Sequence, residues 1–232
     1  MSDLIPAFVL HARDYRDTSL LIDFFTPAAG RIAAVAKGAR RVHHGVSQRS
    51  ILQPLQPLWI EWGGRGDLKS LRAVEVRQSR IALQGHALFS ALYLNELLCR
   101  LLQREDAHAD LFAEYEKTLT ALTGDAPLDI TLRLFELRLL EELGYGFSLA
   151  NSGDDGDAVL SGRYYRFDQQ RGLVPVRTDI HLAIPGADLL DFASGNFTES
   201  ARRSLKLLCR QALQPHLGDK PLQSRLLFSA ER

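Results

Sequence analysis

Between residues 5 and about 77 the chain breaks into short runs rich in apolar, β-branched and aromatic residues. PAFVLHARDY, SLLIDFF, GRIAAVAKG, LQPLWIEW and LKSLRAVEV read as five strands, divided by turn signals at RDT, TPAAG, a polar loop over residues 40–50, and GGRGD. Five antiparallel strands in about 75 residues match the size and strand count of an OB-fold, a small barrel whose face and loops commonly hold oligonucleotides. An SH3-like barrel is the main structural rival.

After residue 80 the apolar spacing changes to three and four. HALFSALYLNELLCRLLQRE, ADLFAEYEKTLTALTG and PLDITLRLFELRLLEELGYG predict three amphipathic helices packed together. Asp125 suits an N-cap with Pro127 in the first turn behind it, and Gly144 suits a stop. NSGDDGDAVLSG, residues 151–162, reads as a loop, YYRFDQQRGLVPV as a short hairpin, and helix returns at about 198–214 and 221–229. The expected fold class is a multidomain α+β chain. An N-terminal five-stranded OB-fold barrel over residues 1–80 is followed by an all-helical domain over 81–232, with a loop and hairpin insertion at about 147–180.

Composition adds a folded core and a location. Apolar residues make up 46% of the 232 positions, enough for a sizeable core. No apolar run reaches the ~18 residues of a membrane span, and MSDLIPAF lacks the order of a signal peptide, so the expectation is a cytoplasmic protein without membrane contact. Cys99 and Cys209 lie far apart inside expected helices and read as reduced, partly buried thiols.

The net charge of zero conceals an asymmetry. Residues 1–80 hold 12 Lys and Arg against 7 Asp and Glu, which leaves 16 against 21 for residues 81–232. A neutral total therefore does not argue against a polyanion site, because steering depends on the local field. In the third strand Arg31 and Lys37 are six residues apart, so a period of two points both to one face, roughly 20 Å apart. Arg40 and Arg41 carry the line into a loop where Gly38 and Gly45 remove side-chain bulk. Arg65 sits at the next hairpin tip, with Lys69 and Arg72 just beyond. Tyr15, Trp59 and Trp62 offer stacking platforms, although Trp62 shares parity with Leu58 and Ile60 and suits the core. Taken singly, each cation suits a solvated loop. Together, with no acid from residue 24 to residue 60, they point to a nucleic-acid surface.

Other candidates carry less. His43 and His44 face opposite ways in an extended loop and make a poor chelating pair, so loop polar residues are the better reading. Phosphate-loop, nucleophile-elbow, HExxH and GxGxxG motifs are absent from the sequence, and Asp154, Asp155 and Asp157 lie in a Gly/Ser-rich loop that suits solvated acids better than a metal-dependent nuclease. In the helix beginning near Thr198, Leu205, Leu208 and Ala212 form an apolar stripe, and Arg202, Lys206 and Arg210 form a basic one. That basic row either pairs with neighbouring acids or accepts nucleic acid or an acidic peptide.

Four stretches together resemble the RecO family of bacterial DNA repair and recombination proteins: AFVLHARDYRDTSLLIDFFTPAAGRIAAVAKGAR at 7–40, LYLNELLCRLL at 92–102, LRLFELRLLEELGYG at 132–146, and HLGDKPLQSRLLF at 216–228. The resemblance implies an OB-fold followed by a helical domain, no catalytic residues and no cofactor. It implies binding of single- and double-stranded DNA, strand annealing and, with RecR, loading of RecA onto DNA coated by single-stranded DNA-binding protein (SSB). By that resemblance Lys37 and Arg40 of VAKGAR are the leading DNA contacts; Arg31, Arg41 and Arg65 are added from charge. It also implies capture of the acidic, apolar SSB C-terminal tail by the helical domain, where Arg133 and Leu137, one turn apart, would supply cation and apolar floor. Lys220 and Arg225 of the closing motif are weaker candidates for that pocket, with interdomain ion pairs as their other reading. Some relatives carry a four-cysteine zinc site after GYG, whereas residues 147–180 here contain no cysteine, so the hairpin is expected to be zinc-less and held by Tyr164, Tyr165 and Phe167. The expected function is a non-enzymatic recombination mediator, cytoplasmic and nucleoid-associated. An adaptor whose OB domain docks a protein partner and binds DNA weakly is the alternative.

Overall fold

The computed structural model describes residues 4–42, 45–153, 155–177 and 182–228; His43, His44 and Asp154 lie outside the described residues. All five expected N-terminal strands form: β1 (Ile5–Tyr15), β2 (Ser19–Thr26), β3 (Gly30–Ala36), β4 (Pro57–Gly63) and β5 (Leu68–Val76). They close in the order β1-β2-β3-β5-β4, with β1 returning to β4 and a parallel join between β3 and β5, which is the OB-fold. Alternation sets the inside. Leu20, Ile22 and Phe24 of β2 face Ile32, Ala34 and Ala36 of β3, and Leu58 and Ile60 complete the core. Trp62 packs against this core.

The barrel's outer surface is not all open. A bulge between Val9 and His11 interrupts the β1–β2 ladder. Buried Asn95 of α1 (Gly85–Leu101) donates to the Leu10 carbonyl at 2.8 Å, and the Tyr115 hydroxyl of α2 (Ala109–Ala121) donates to the Asn95 side-chain oxygen. Phe8 and Phe25, outward-facing on β1 and β2, meet Phe112 in tilted and Tyr115 in edge-to-face contacts, with ring centres 5.2–6.0 Å apart. Here the structure corrects the expectation of three helices packed together. The apolar end of the outer β1–β2 face is itself a packing surface, and α1 and α2 cover it.

The chain divides into two compact units, Met1–Asp125 with Pro221–Arg232, and Ala126–Lys220. In the first, the short α6 (Ser224–Leu227) is held to α1 by Glu96, whose carboxylate accepts from the backbone N–H of Gln223 and Ser224, both at 2.8 Å, and from the Ser224 hydroxyl at 2.6 Å. Burial pushes the Glu96 carboxyl up, but the Ser224 and Gln223 hydrogen bonds and the Arg100 charge outweigh it, leaving it below its ordinary 4.5. A folded-state value below the unfolded one means that stability is present above 4.5 and lost as the pH falls through the folded value. Amide exchange of α6 is expected to accelerate selectively in that acid range; a Glu96→Gln variant should exchange fast already at pH 7.

The second unit contains α3 (Leu128–Glu142), the hairpin β6 (Tyr164–Asp168) and β7 (Gly172–Val176), the edge strand β8 (Ile184–Pro185), α4 (Gly186–Ala193) and α5 (Glu199–Leu217). α3 packs on α5, and the hairpin core of Tyr165, Leu173 and Ile184 joins Leu205, Leu208 and Cys209 of α5. Phe147 lies 5.1 Å from Phe167, and the Tyr165 hydroxyl accepts from the Leu160 N–H at 2.8 Å. Asp125 does not cap α3: Pro127 occupies that position and Asp129 supplies the first-turn acid. Gly144 ends the helix with φ +80°, where the Tyr145 N–H donates back to the Leu140 carbonyl at 2.8 Å.

Candidate nucleic-acid interface

Strand register assembles the exposed end of the barrel. Tyr15 pairs with Ser19 and Leu20 with Ala36, so one further step brings Lys37 beside Ser19. Tyr15, Arg16, Thr18, Ser19, Val35, Lys37, Gly38 and Arg41 line a groove of about 330 Å³ that no carboxylate enters. Lys37, Arg41 and Arg16 are exposed, as is Arg13 two residues from Tyr15 on the same strand parity. Among the described residues none of these four cations has an ion-pair partner. The Arg16 guanidinium lies over the Tyr15 ring, 5.2 Å from its centre.

The loop geometry explains why Arg16, Lys37 and Arg41 sit together. Gly38, at φ +70°, turns the chain so that the Arg41 N–H donates to the Gly38 carbonyl at 2.9 Å, and the Arg40 N–H donates to the Thr18 carbonyl at 2.9 Å. The Arg40 side chain stays with this scaffold. Its guanidinium is 3.3 Å from Asp14, which also receives Arg49 at 2.8 Å. Arg40 ties the two turns together, leaving Lys37 and Arg41 to face outward.

The remaining expected contacts scatter. Arg31 has the parity expected of it, but its guanidinium donates to the Cys99 carbonyl under α1. Lys69 is buried and pairs with Glu105 at 2.8 Å, while the Glu105 N–H donates to the Arg31 carbonyl at 3.0 Å. Both cations thus anchor the α1–α2 connection to the barrel. The extended charged face expected from Arg31 to Lys37 is therefore open only at its Lys37 end. Arg72 lies across Gly63, where a Cβ would strike its guanidinium, and is 3.6 Å from Glu61. Arg65 is exposed at the β4–β5 turn and does not line the groove. Trp59 is half-exposed with Arg77 above its ring at 6.0 Å. Sequence reasoning overlooked Arg13 and Arg16; the signal for Arg13 was its two-residue offset from Tyr15.

In the second unit, Arg133 is buried and paired with Glu136, itself 1% exposed. Burial and the neighbouring Glu136 push the Cys209 thiol well above its ordinary value; burial, with the Asp23 charge, pushes Cys99 up to about 12. Leu137 does face a cavity, of about 680 Å³, lined also by Leu134, Arg138, Phe147, Leu149 and Ala193. The cation beside that apolar floor is Arg138, whereas Arg133 points into the α3–α5 packing. Arg202 forms a bidentate pair with Asp129 at 2.8 and 2.6 Å, and that hydrogen bond holds the Asp129 carboxyl below its usual range. Lys206 and Arg210 are exposed along α5. Asp155 accepts the Asp157 N–H at 3.0 Å within its own turn. Among the described residues no group of three potential metal ligands forms and no helix is long and apolar enough to cross a membrane.

Residues 1–80 match the family model described as Recombination protein O N terminal, and residues 82–226 match Recombination protein O C terminal. The chain is 44% identical over 230 residues to the DNA repair protein RecO of Cellvibrio japonicus, covering 98% of this chain and 97% of that protein. It is 42% identical over 229 residues to that of Haemophilus influenzae (98% and 96%) and 41% over 230 to that of Tolumonas auensis (98% and 95%). Barrel, helices and both family matches agree, and the chain belongs to the RecO family of DNA repair proteins.

Proposed function

We propose that this protein is a non-enzymatic recombination mediator. It binds DNA through residues 1–80, anneals complementary strands and, with RecR, helps load RecA onto SSB-coated DNA. The observation that carries this reading is the groove lined by Arg16, Lys37 and Arg41 and by no carboxylate, with exposed Arg13 on the adjoining stretch of β1. Annealing requires no nucleophile. It requires cations that offset repulsion between two phosphate backbones while leaving base edges free to pair. Binding of DNA would also bring a cytoplasmic protein to the nucleoid.

The helical part supplies the partner surface in this reading. An SSB tail, acidic and apolar, would lay its apolar end in the Leu134, Leu137, Phe147 cavity and compete with Glu141, which also lines the cavity, for Arg138, now 2.8 Å from that carboxylate. Exposed Lys206 and Arg210 add positive field for an acidic peptide or a DNA strand.

Salt dependence separates this reading from a protein-docking adaptor. Four phosphate contacts predict a slope of about −3 for log affinity against log salt with single strands, at about −0.7 per contact. Lys37→Ala should reduce the slope by about 0.7. A slope near zero in a titration from low to physiological salt would favour the adaptor.

A further inference from the structure

The β1–β2 turn contains a strained arginine whose side chain performs no task in the fold. Four non-glycine residues among those described have positive φ: Arg16, Leu55, Glu105 and Leu182. Leu55 is buried and its N–H donates to the Val9 carbonyl at 2.9 Å, and Glu105 holds Lys69. Arg16, at φ +49°, occupies a conformation that glycine or asparagine would adopt at less cost, yet its guanidinium is exposed and has no ion-pair partner. What the guanidinium does contact is the Tyr15 ring, at the edge of a groove whose other cations are Lys37 and Arg41.

We propose that Tyr15 and Arg16 form a stacking platform for one unpaired base, which makes this groove selective for single-stranded DNA. The inference rests on the DNA-binding reading of the barrel and adds the form of DNA and the residues that discriminate it. A guanidinium plane and a phenol ring both present flat, polarisable faces to a base, and every base has a free face only outside a duplex. Lys37 and Arg41 hold phosphates on either side. The groove, of about 330 Å³, has room for a nucleotide-sized group.

The test measures affinity for one oligonucleotide as a normal single strand, as a strand with abasic sites, and as a duplex. Tyr15→Leu is expected to weaken the normal strand about five-fold or more and to leave the abasic strand and duplex within about two-fold, whereas Tyr15→Phe retains binding. Arg16→Gly relieves the turn and should raise the melting temperature while lowering single-strand affinity, a combination that a merely structural arginine would not produce. Equal losses on all three ligands, or no loss on the normal strand, would overturn the stacking platform. Lys37→Glu/Arg41→Glu run in parallel distinguishes the two levels. If that variant loses DNA while the Tyr15 series does not, only the stacking inference fails; if neither series loses DNA, the groove is not the DNA site.

Discussion

Lys37→Glu combined with Arg41→Glu is expected to lower single-strand affinity by about 100-fold or more near physiological salt, with thermal melting unchanged. Both side chains are exposed, line the groove and have no ion pair among the described residues, so their replacement removes nothing that holds the barrel together. Each lost charge-assisted phosphate contact removes about 1.5–3 kcal/mol, and each new carboxylate adds repulsion in a site that previously contained none. Arg40 is left in place because its bond to Asp14 belongs to the scaffold. Fluorescence anisotropy with a labelled oligonucleotide reads the affinity and a melting curve reads the fold. Unchanged affinity would direct attention to Lys206 and Arg210.

The second large effect is on stability. Glu136→Ala should destabilise the unit Ala126–Lys220 by about 3–5 kcal/mol, because it removes one partner of a buried ion pair. A loss of that size lowers the melting temperature of a unit this large by about 10 °C or more. Replacing the pair together, Arg133→Leu with Glu136→Met, should recover most of the loss, since two apolar side chains fill the α3–α5 contact without stranding a charge. Calorimetry of both variants checks this. A Glu136→Ala protein that melts like the wild type would mean that Arg133 is not committed to the core.

The five strands could be read from residue order because β-branched and aromatic runs between Gly and Pro turns have few alternatives, and period two then sorted Leu20, Ile22 and Phe24 inward. What covers an outward face is a long-range property. Arg31 and Lys69 looked like DNA contacts because parity gives direction alone, whereas the Cys99 carbonyl and the Glu105 carboxylate that engage them arrive from 68 and 36 residues away. The same limit explains Arg133. One helical turn placed it near Leu137, but the rotation that separates the α5-facing side of α3 from its cavity side emerges only once α5 packs. The short α4 escaped notice because GADLLDFA is barely two turns long and follows Pro185.

Annealing of complementary oligonucleotides, bare and SSB-coated, by wild type and by the folded Lys37→Glu/Arg41→Glu variant settles whether the barrel groove is where this protein works on DNA. Wild-type protein should anneal both substrates and the variant neither; equal annealing by the two proteins would contradict the assignment.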